Sequence, residues 1–337
     1  MKTKVRVYSI IKTVFIHVGT VCILLSHAAG SFSEEFEPVT SPVMLVCGQA
    51  LGPILSDNAA DRYYYASLPP ETEYFDFSVS HFSPLVYAPL INSSDFSDQV
   101  ITAVSFPPKK RILVSVIAFF NYSGFDTMDN FGNADGTRST VWSTVLLVPV
   151  TVKIIERQYF RITAGAGFGG WMFSSARNRS AGMLLSPSVY ADIGRRIHMS
   201  AGVINAGLPV YSGIYEDSLS FSPAFQTAFS ITLLQNKSKT HAAVKAGSGV
   251  RIKQNSLPEI DVGVSASAGR WGVKKQTMLL VYSGVKIDTT IPDHPAAGTG
   301  FTAGIPVGKH IVEISTGFVR SMVKGSFENS TTLTLRW

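Results

Sequence analysis

From Glu73 onward, apolar and polar residues alternate with a period of two along run after run of this chain. "YFDFSVS" sets Phe75, Phe77 and Val79 against Asp76, Ser78 and Ser80. "QYFRITAGAGFG", "HAAVKAGSGVRI", "EIDVGVSASAG" and "VEISTGF" repeat the pattern. Period two is the mark of a strand with two unlike faces. Turn-like breaks such as "PPKKR", "ERQ", "QNKSK", "PDHPAAG" and "VGKH" separate the runs. Roughly fourteen strands are expected, many close to the 9–11 residues that cross a bilayer at a tilt. No helical pattern alternates with them, which argues against a parallel α/β fold.

A soluble sandwich or barrel turns the apolar faces inward, and an outer-membrane barrel turns them to lipid. Three features favour the second. The chain is 45% hydrophobic but only 15% charged, against about 25% charged in typical soluble domains. The polar faces are rich in Gly and Ser. The 21 Phe, 12 Tyr and 4 Trp suit aromatic girdles at two interfaces. No apolar stretch after the N-terminal region reaches the roughly 20 residues of a membrane helix; "TVLLVPVTVKII" (144–155) is short and contains Pro149. The last run, "TTLTLRW", puts Leu333, Leu335 and Trp337 on one face and Thr332, Thr334 and Arg336 on the other. Such a strand can close a barrel against the first one, leaving no edge in hydrocarbon; the alternative is the buried final strand of a soluble β domain.

The N-terminal residues 1–28 read as a cleaved export signal, with Lys2, Lys4, Arg6 and Lys12 before an apolar core at 13–25 and small residues at 26–30. A retained anchor helix is the alternative. The signal holds four cations and no acid, so the rest of the chain carries 25 Lys and Arg against 23 Asp and Glu. A near-neutral chain has no nucleic-acid footprint. Cys22 would leave with the signal, and Cys47 alone forms no internal disulfide. Residues 29–67 are irregular, with a short helix expected near Ala50–Asn58, and 68–337 form the strand-rich body.

One segment carries a family resemblance. "FFNYSGFDTMDNFGNADGTRSTVWSTVLLVPVTVKI" (119–154) resembles the PorV-like branch of the FadL superfamily of outer-membrane proteins, in which a strand ending Tyr-Gly-Ser-Phe leads to an acidic-aromatic-Gly-Asn loop and then Gly-Thr. Tyr122, Ser123, Gly124 and Phe125, then Asp129 to Asn133, then Gly136 and Thr137 hold those places. "YADIGRRIHMSAGVINAGLPV" (190–210) and "EDSLSFSPAFQTAFSITLL" (216–234) are similar to the strands that follow, and the chain is close to the spirochaete FadL-like outer-membrane proteins. The resemblance implies an antiparallel transmembrane barrel in the bacterial outer membrane, plugged by residues 29–67. It further implies passage of a hydrophobic ligand such as a long-chain fatty acid, or a PorV-like scaffold or shuttle role for secreted or surface proteins. The family's Asn-Pro-Ala-Gly motif is replaced by "NAADRYYYASLPP". The terminal Leu333, Leu335 and Trp337 also resemble the signal read by the outer-membrane barrel-assembly machinery.

Catalytic and cofactor motifs are lacking. "GAGFGG" (165–170) fits G-x-G-x-x-G but lies inside a strand run, where small residues beside bulky neighbours explain it. The histidines are scattered, and no H-E-x-x-H, G-x-S-x-G or Cys-His cluster occurs. No enzyme activity, metal or cofactor is expected. Five Asn-x-Ser/Thr triplets, at Asn92, Asn121, Asn178, Asn236 and Asn329, are expected in loops. Lys245, Arg251, Asp261, Glu313 and Arg336 fall on the polar faces of their strands and are expected to face the lumen, because a Lys or Arg at the lipid midplane costs roughly 2–4 kcal/mol.

Overall fold

The computed structural model describes residues 39–337, apart from 57, 70–74, 86–95, 110, 129–133, 176–178, 195, 213–222, 236–241, 254–256, 269–277, 289–294, 309 and 322–326. The expected export signal lies outside the described residues. The strand segments are β1 (Asp76–Leu85), β2 (Phe96–Ser105), β3 (Ile112–Met128), β4 (Ala134–Arg157), β5 (Phe160–Ser175), β6 (Arg179–Ile193), β7 (Ile197–Ile204), β8 (Ala206–Ser212), β9 (Ala224–Gln235), β10 (Ala243–Lys253), β11 (Glu259–Ala268), β12 (Met278–Asp288), β13 (Ala296–Val307), β14 (His310–Ser321) and β15 (Phe327–Arg336). Neighbours pair antiparallel throughout, β1 pairs with β15, and β5 pairs with β6, so the sheet closes. β7 and β8 both pair with β6 and are two halves of one wall strand. The wall therefore has 14 strands, as the alternation predicts.

The faces are inside out relative to a soluble protein. Leu146, Met172, Leu234, Leu279, Ile314 and Leu333 point outward and are 44–69% exposed. The residues between them in the strands, such as Ser78, Ser80, Ser115, Thr163, Ser230, Thr332 and Thr334, are buried. A soluble barrel would pay for that much exposed hydrocarbon in water; a bilayer removes the cost. The alternation alone could not make this choice, because it gives two faces without saying which one is inside.

Fourteen strands enclose more space than wall side chains fill. The segment from Val39 to Leu68 occupies it. It forms two short helices, α1 (Pro42–Cys47) and α2 (Gly52–Leu55), and a 3₁₀ turn (Ala59–Tyr63). The local chemistry is explicit. Ser41 caps α1 by accepting from the Met44 N–H, with Pro42 at the first helical position. Gly48, at φ 85°, ends it. Asn58 caps the 3₁₀ turn through the Ala60 N–H. The sequence pointed to a single helix near Ala50–Asn58; α1 was missed because six residues are too few to show a helical period. Val43, Met44, Leu51, Ile54, Tyr63 and Tyr65 are buried in one cluster with Phe82, Ile101, Ile117, Phe119, Leu147 and Trp171 of the wall.

Candidate functional site

The site is the contact between this inner segment, here called the hatch, and the wall. Glycine faces make the contact possible. A Cβ on Gly284 would stand 2.5 Å from the Val46 carbonyl oxygen, and one on Gly249 would stand 2.8 Å from the Ala50 Cβ. One on Gly263 would meet the Cys47 sulfur at 3.0 Å, and one on Gly165 would run into the Ala66 carbonyl group. The hatch backbone thus lies directly on glycines of β5, β10 and β12, and hatch side chains on the β11 glycine. Gly165 is the first glycine of the "GAGFGG" run, and Gly167 gives way to the Leu147 side chain.

Polar bonds fix the position. The Asp261 carboxylate accepts from the Ala50 N–H at 2.9 Å. Ser80 donates to the Thr40 carbonyl at 2.9 Å, Gln226 Nε2 donates to the Tyr64 carbonyl at 2.9 Å, and the Ser67 N–H donates to Ser188 Oγ at 2.8 Å. Thr151 and Thr163 donate to the carbonyls of Ala66 and Ser67. Within the hatch, Asp61 accepts from Thr40 Oγ1 at 2.5 Å and Ser41 Oγ at 3.0 Å. Burial raises the Asp61 carboxyl above its ordinary pKa, against the opposing pull of those hydroxyls and of Arg62. Burial pushes the Cys47 thiol up to about 12 and raises the Tyr65 phenol.

The wall has a defect where the hatch touches it. Ser188 is paired with Gly202, but Leu185 is paired with Ala206, so the β7–β8 strand carries one residue more than β6. This is a β-bulge. Asn205 sits at its turning point with φ 57°, the only non-glycine at positive φ among the described residues. Asparagine tolerates that region better than most side chains. Its N–H donates to Ser186 Oγ at 3.2 Å, and its side-chain oxygen accepts from Tyr63 of the hatch at 2.8 Å. β9 follows the strand only as far as the Ile204–Ala224 pair. Beyond it, β8 has β6 as its sole partner among the described residues. Among the described residues, the pairing of this wall strand with β9 thus ends beside Asn205 and Tyr63. The sequence reading missed Asn205, although it is the polar residue that interrupts the run "HMSAGVINAGL".

The five charged residues singled out from the sequence all lie on inward faces. Arg336 joins two carboxylates, with Nε 3.4 Å from Asp76 and Nη2 3.3 Å from Glu313. Asp76 and Arg336 are register partners across the β1–β15 closure. Arg251 lies 3.7 Å from Glu259, which also meets Lys253 at 3.1 Å and Lys286 at 3.9 Å. Asp261 holds the hatch as described. Lys245 is half-buried, paired in register with Ser265 and Thr232, and joins neither cluster. A third cluster places Tyr190 Oη 2.9 Å from His198 Nδ1 and Arg161 3.2 Å from Asp192. Leu333 and Trp337 face outward. The Trp337 backbone exchanges both hydrogen bonds with Phe75 (3.0 and 3.1 Å), and the two rings lie 4.4 Å apart. Of the Asn-x-Ser/Thr triplets expected in loops, Asn121 and Asn329 lie inside β3 and β15, Asn121 buried. Asn92, Asn178 and Asn236 fall outside the described residues.

No family model and no curated protein matches the chain. Solved structures do. The Ralstonia pickettii toluene transporter TbuX is 9% identical with a TM-score of 0.52, over 90% of this chain and 98% of that one. A Pseudomonas aeruginosa FadL homologue is 8% identical with a TM-score of 0.50, over 90% and 99%. The chain has the fold of the FadL-like outer-membrane β-barrels.

Proposed function

We propose that the protein sits in the bacterial outer membrane, delivered there by its N-terminal signal, and lets hydrophobic small molecules pass without catalysing a reaction. The observation that carries this is the bulge at Asn205, where a hatch side chain holds the wall residue and the described pairing with β9 ends. A solute that displaces the hatch reaches a lumen lined by Phe82, Phe119, Trp171 and Leu184. An exit between two strands leads it into the bilayer without crossing water, the route a hydrophobic molecule favours. The FadL homologue and the toluene transporter share the fold, which supports a cargo of that class. Long-chain fatty acids are the particular cargo proposed.

The test is binding of a labelled long-chain fatty acid, and separately of labelled toluene, to the refolded barrel in detergent, with a water-soluble solute as control. Saturable binding of either hydrophobe and none of the control is expected. A barrel that is heat-modifiable on a gel, and so folded, yet binds neither would overturn the transport reading. It would favour the scaffold role, for which one feature stands ready: β4 has 24 residues, and its first seven pair with β3 alone, so a two-stranded ribbon rises beyond its neighbours.

A further inference from the structure

The two ends of the barrel differ in charge. At the end that carries Asp76 and Trp337, the described residues of the segments joining consecutive strands include Lys109, Arg111 and Arg196 and no Asp or Glu. The described residues of the joining segments at the other end carry no charged side chain.

Among the described residues the basic end forms a continuous arc. Lys109, Arg111, Arg157 and Arg196 are exposed on it. Backbone hydrogen bonds stitch it together: the Lys153 N–H to the Arg111 carbonyl at 2.8 Å, the Gly194 N–H to the Tyr159 carbonyl at 2.7 Å, and the Thr232 N–H to the Arg196 carbonyl at 2.7 Å. The acids at this end are already paired: Glu156 with Lys153 at 3.2 Å, Asp192 with Arg161 at 3.2 Å and Asp76 with Arg336 at 3.4 Å. The four exposed cations make no ion pair among the described residues. Beside them on the same rim stand exposed aromatic residues: Phe106 at 45%, Trp337 at 49% and Tyr159 at 68%. Phe75 packs edge-on to Phe106 and against Trp337. Exposed aromatic rings at a barrel rim sit at the level of lipid headgroups. Cations beside such rings lie where headgroup phosphates lie.

We infer that this rim binds the headgroups of anionic phospholipids in the leaflet it faces, and so holds a shell of acidic lipid around the end of the barrel where the chain closes. The aromatic ring level is what selects a lipid over an acidic protein as the occupant. The inference rests on the membrane-inserted reading, though not on any cargo.

The probe is tryptophan fluorescence of the full chain, refolded into vesicles of equal total composition in which brominated acyl chains are carried by either phosphatidylglycerol or phosphatidylcholine. Trp142→Phe removes the outward tryptophan near the opposite end. The emission that remains to report on lipid then includes Trp337. Phosphatidylglycerol is expected to quench more strongly, with about five-fold enrichment beside the rim, the factor that one basic residue contributes at an anionic surface. High salt and the triple variant Lys109→Glu, Arg111→Glu, Arg196→Glu should each abolish the difference. The salt arm needs no variant to fold. Equal quenching by the two lipids in an inserted, heat-modifiable protein would overturn the inference and point to an acidic protein partner. Absence of quenching by either lipid would instead overturn the membrane reading, and the inference with it.

Discussion

Arg336 shows how much one side chain can hold. It is 1% exposed, lies on the last strand, and reaches Asp76 on the first strand and Glu313 on the one before. Removing a buried charge whose partners stay behind typically costs about 3–5 kcal/mol. Arg336→Met should therefore lower the unfolding midpoint of the barrel in urea markedly, and adding Asp76→Asn and Glu313→Gln should restore part of the loss. Asp61 makes a pH prediction. Its folded-state pKa is raised by burial, so the protonated form suits the folded hatch. The associated stability is fully present below the unfolded pKa and is lost as pH rises through the folded pKa. Hatch docking should weaken with rising pH across that window, and Asp61→Asn should flatten the trend, read from the pH dependence of the unfolding midpoint. The charges on inward faces were legible in the sequence, because period two and the cost of charge in lipid fix the side they take. Their partners were not: Asp76 lies 260 residues from Arg336, and only closure of the sheet brings them together.

At the scale of elements, the hatch and the bulge are the parts that can be taken out singly. Gly284→Val would drive a side chain into the Val46 carbonyl and the Cys47 backbone, an overpacking worth about 1–3 kcal/mol. The wall is the more rigid partner, so the hatch should give way, seen as raised single-channel conductance in a planar bilayer. Deleting Asn205 removes the extra residue and lets β7 and β8 run on as one regular strand. Uptake of a labelled hydrophobe should fall sharply while heat-modifiability is kept; undiminished uptake would show that the exit lies elsewhere. The strands were legible because each is long enough to show its period several times. The bulge was not, because a single inserted residue reads as a brief lapse of pattern, and its pairing with β6 depends on register.

For the molecule as a whole, Cys47 reports on the state of the lumen. It is buried, and its thiol is held far from the thiolate form at neutral pH. In a Cys22→Ser background, a soluble maleimide should leave the folded barrel unlabelled. A hydrophobic solute that moves the hatch should speed the labelling by an order of magnitude or more; an unchanged rate would mean that solute passes without the hatch moving. The architecture at this scale was the most legible part of the sequence, since many amphipathic strands without helices leave few ways to bury or expose one face consistently. The choice of which face is outside rested on composition and needed the exposure of residues such as Leu146 and Leu234 to settle it.

The order of the chain has a consequence for how the protein is made. The hatch is synthesised before β1, yet its glycine seats on β10, β11 and β12 come near the end, and the ring is sealed by the last strand of all. A ring that sealed early would shut the hatch out, leaving it to thread back through an open mouth. The finished arrangement is reached most directly if the hatch waits against the growing sheet while later strands curl around it. Biogenesis would then resemble wrapping a parcel more than corking a bottle, and a chain lacking residues 39–68 should seal sooner while ending less stable.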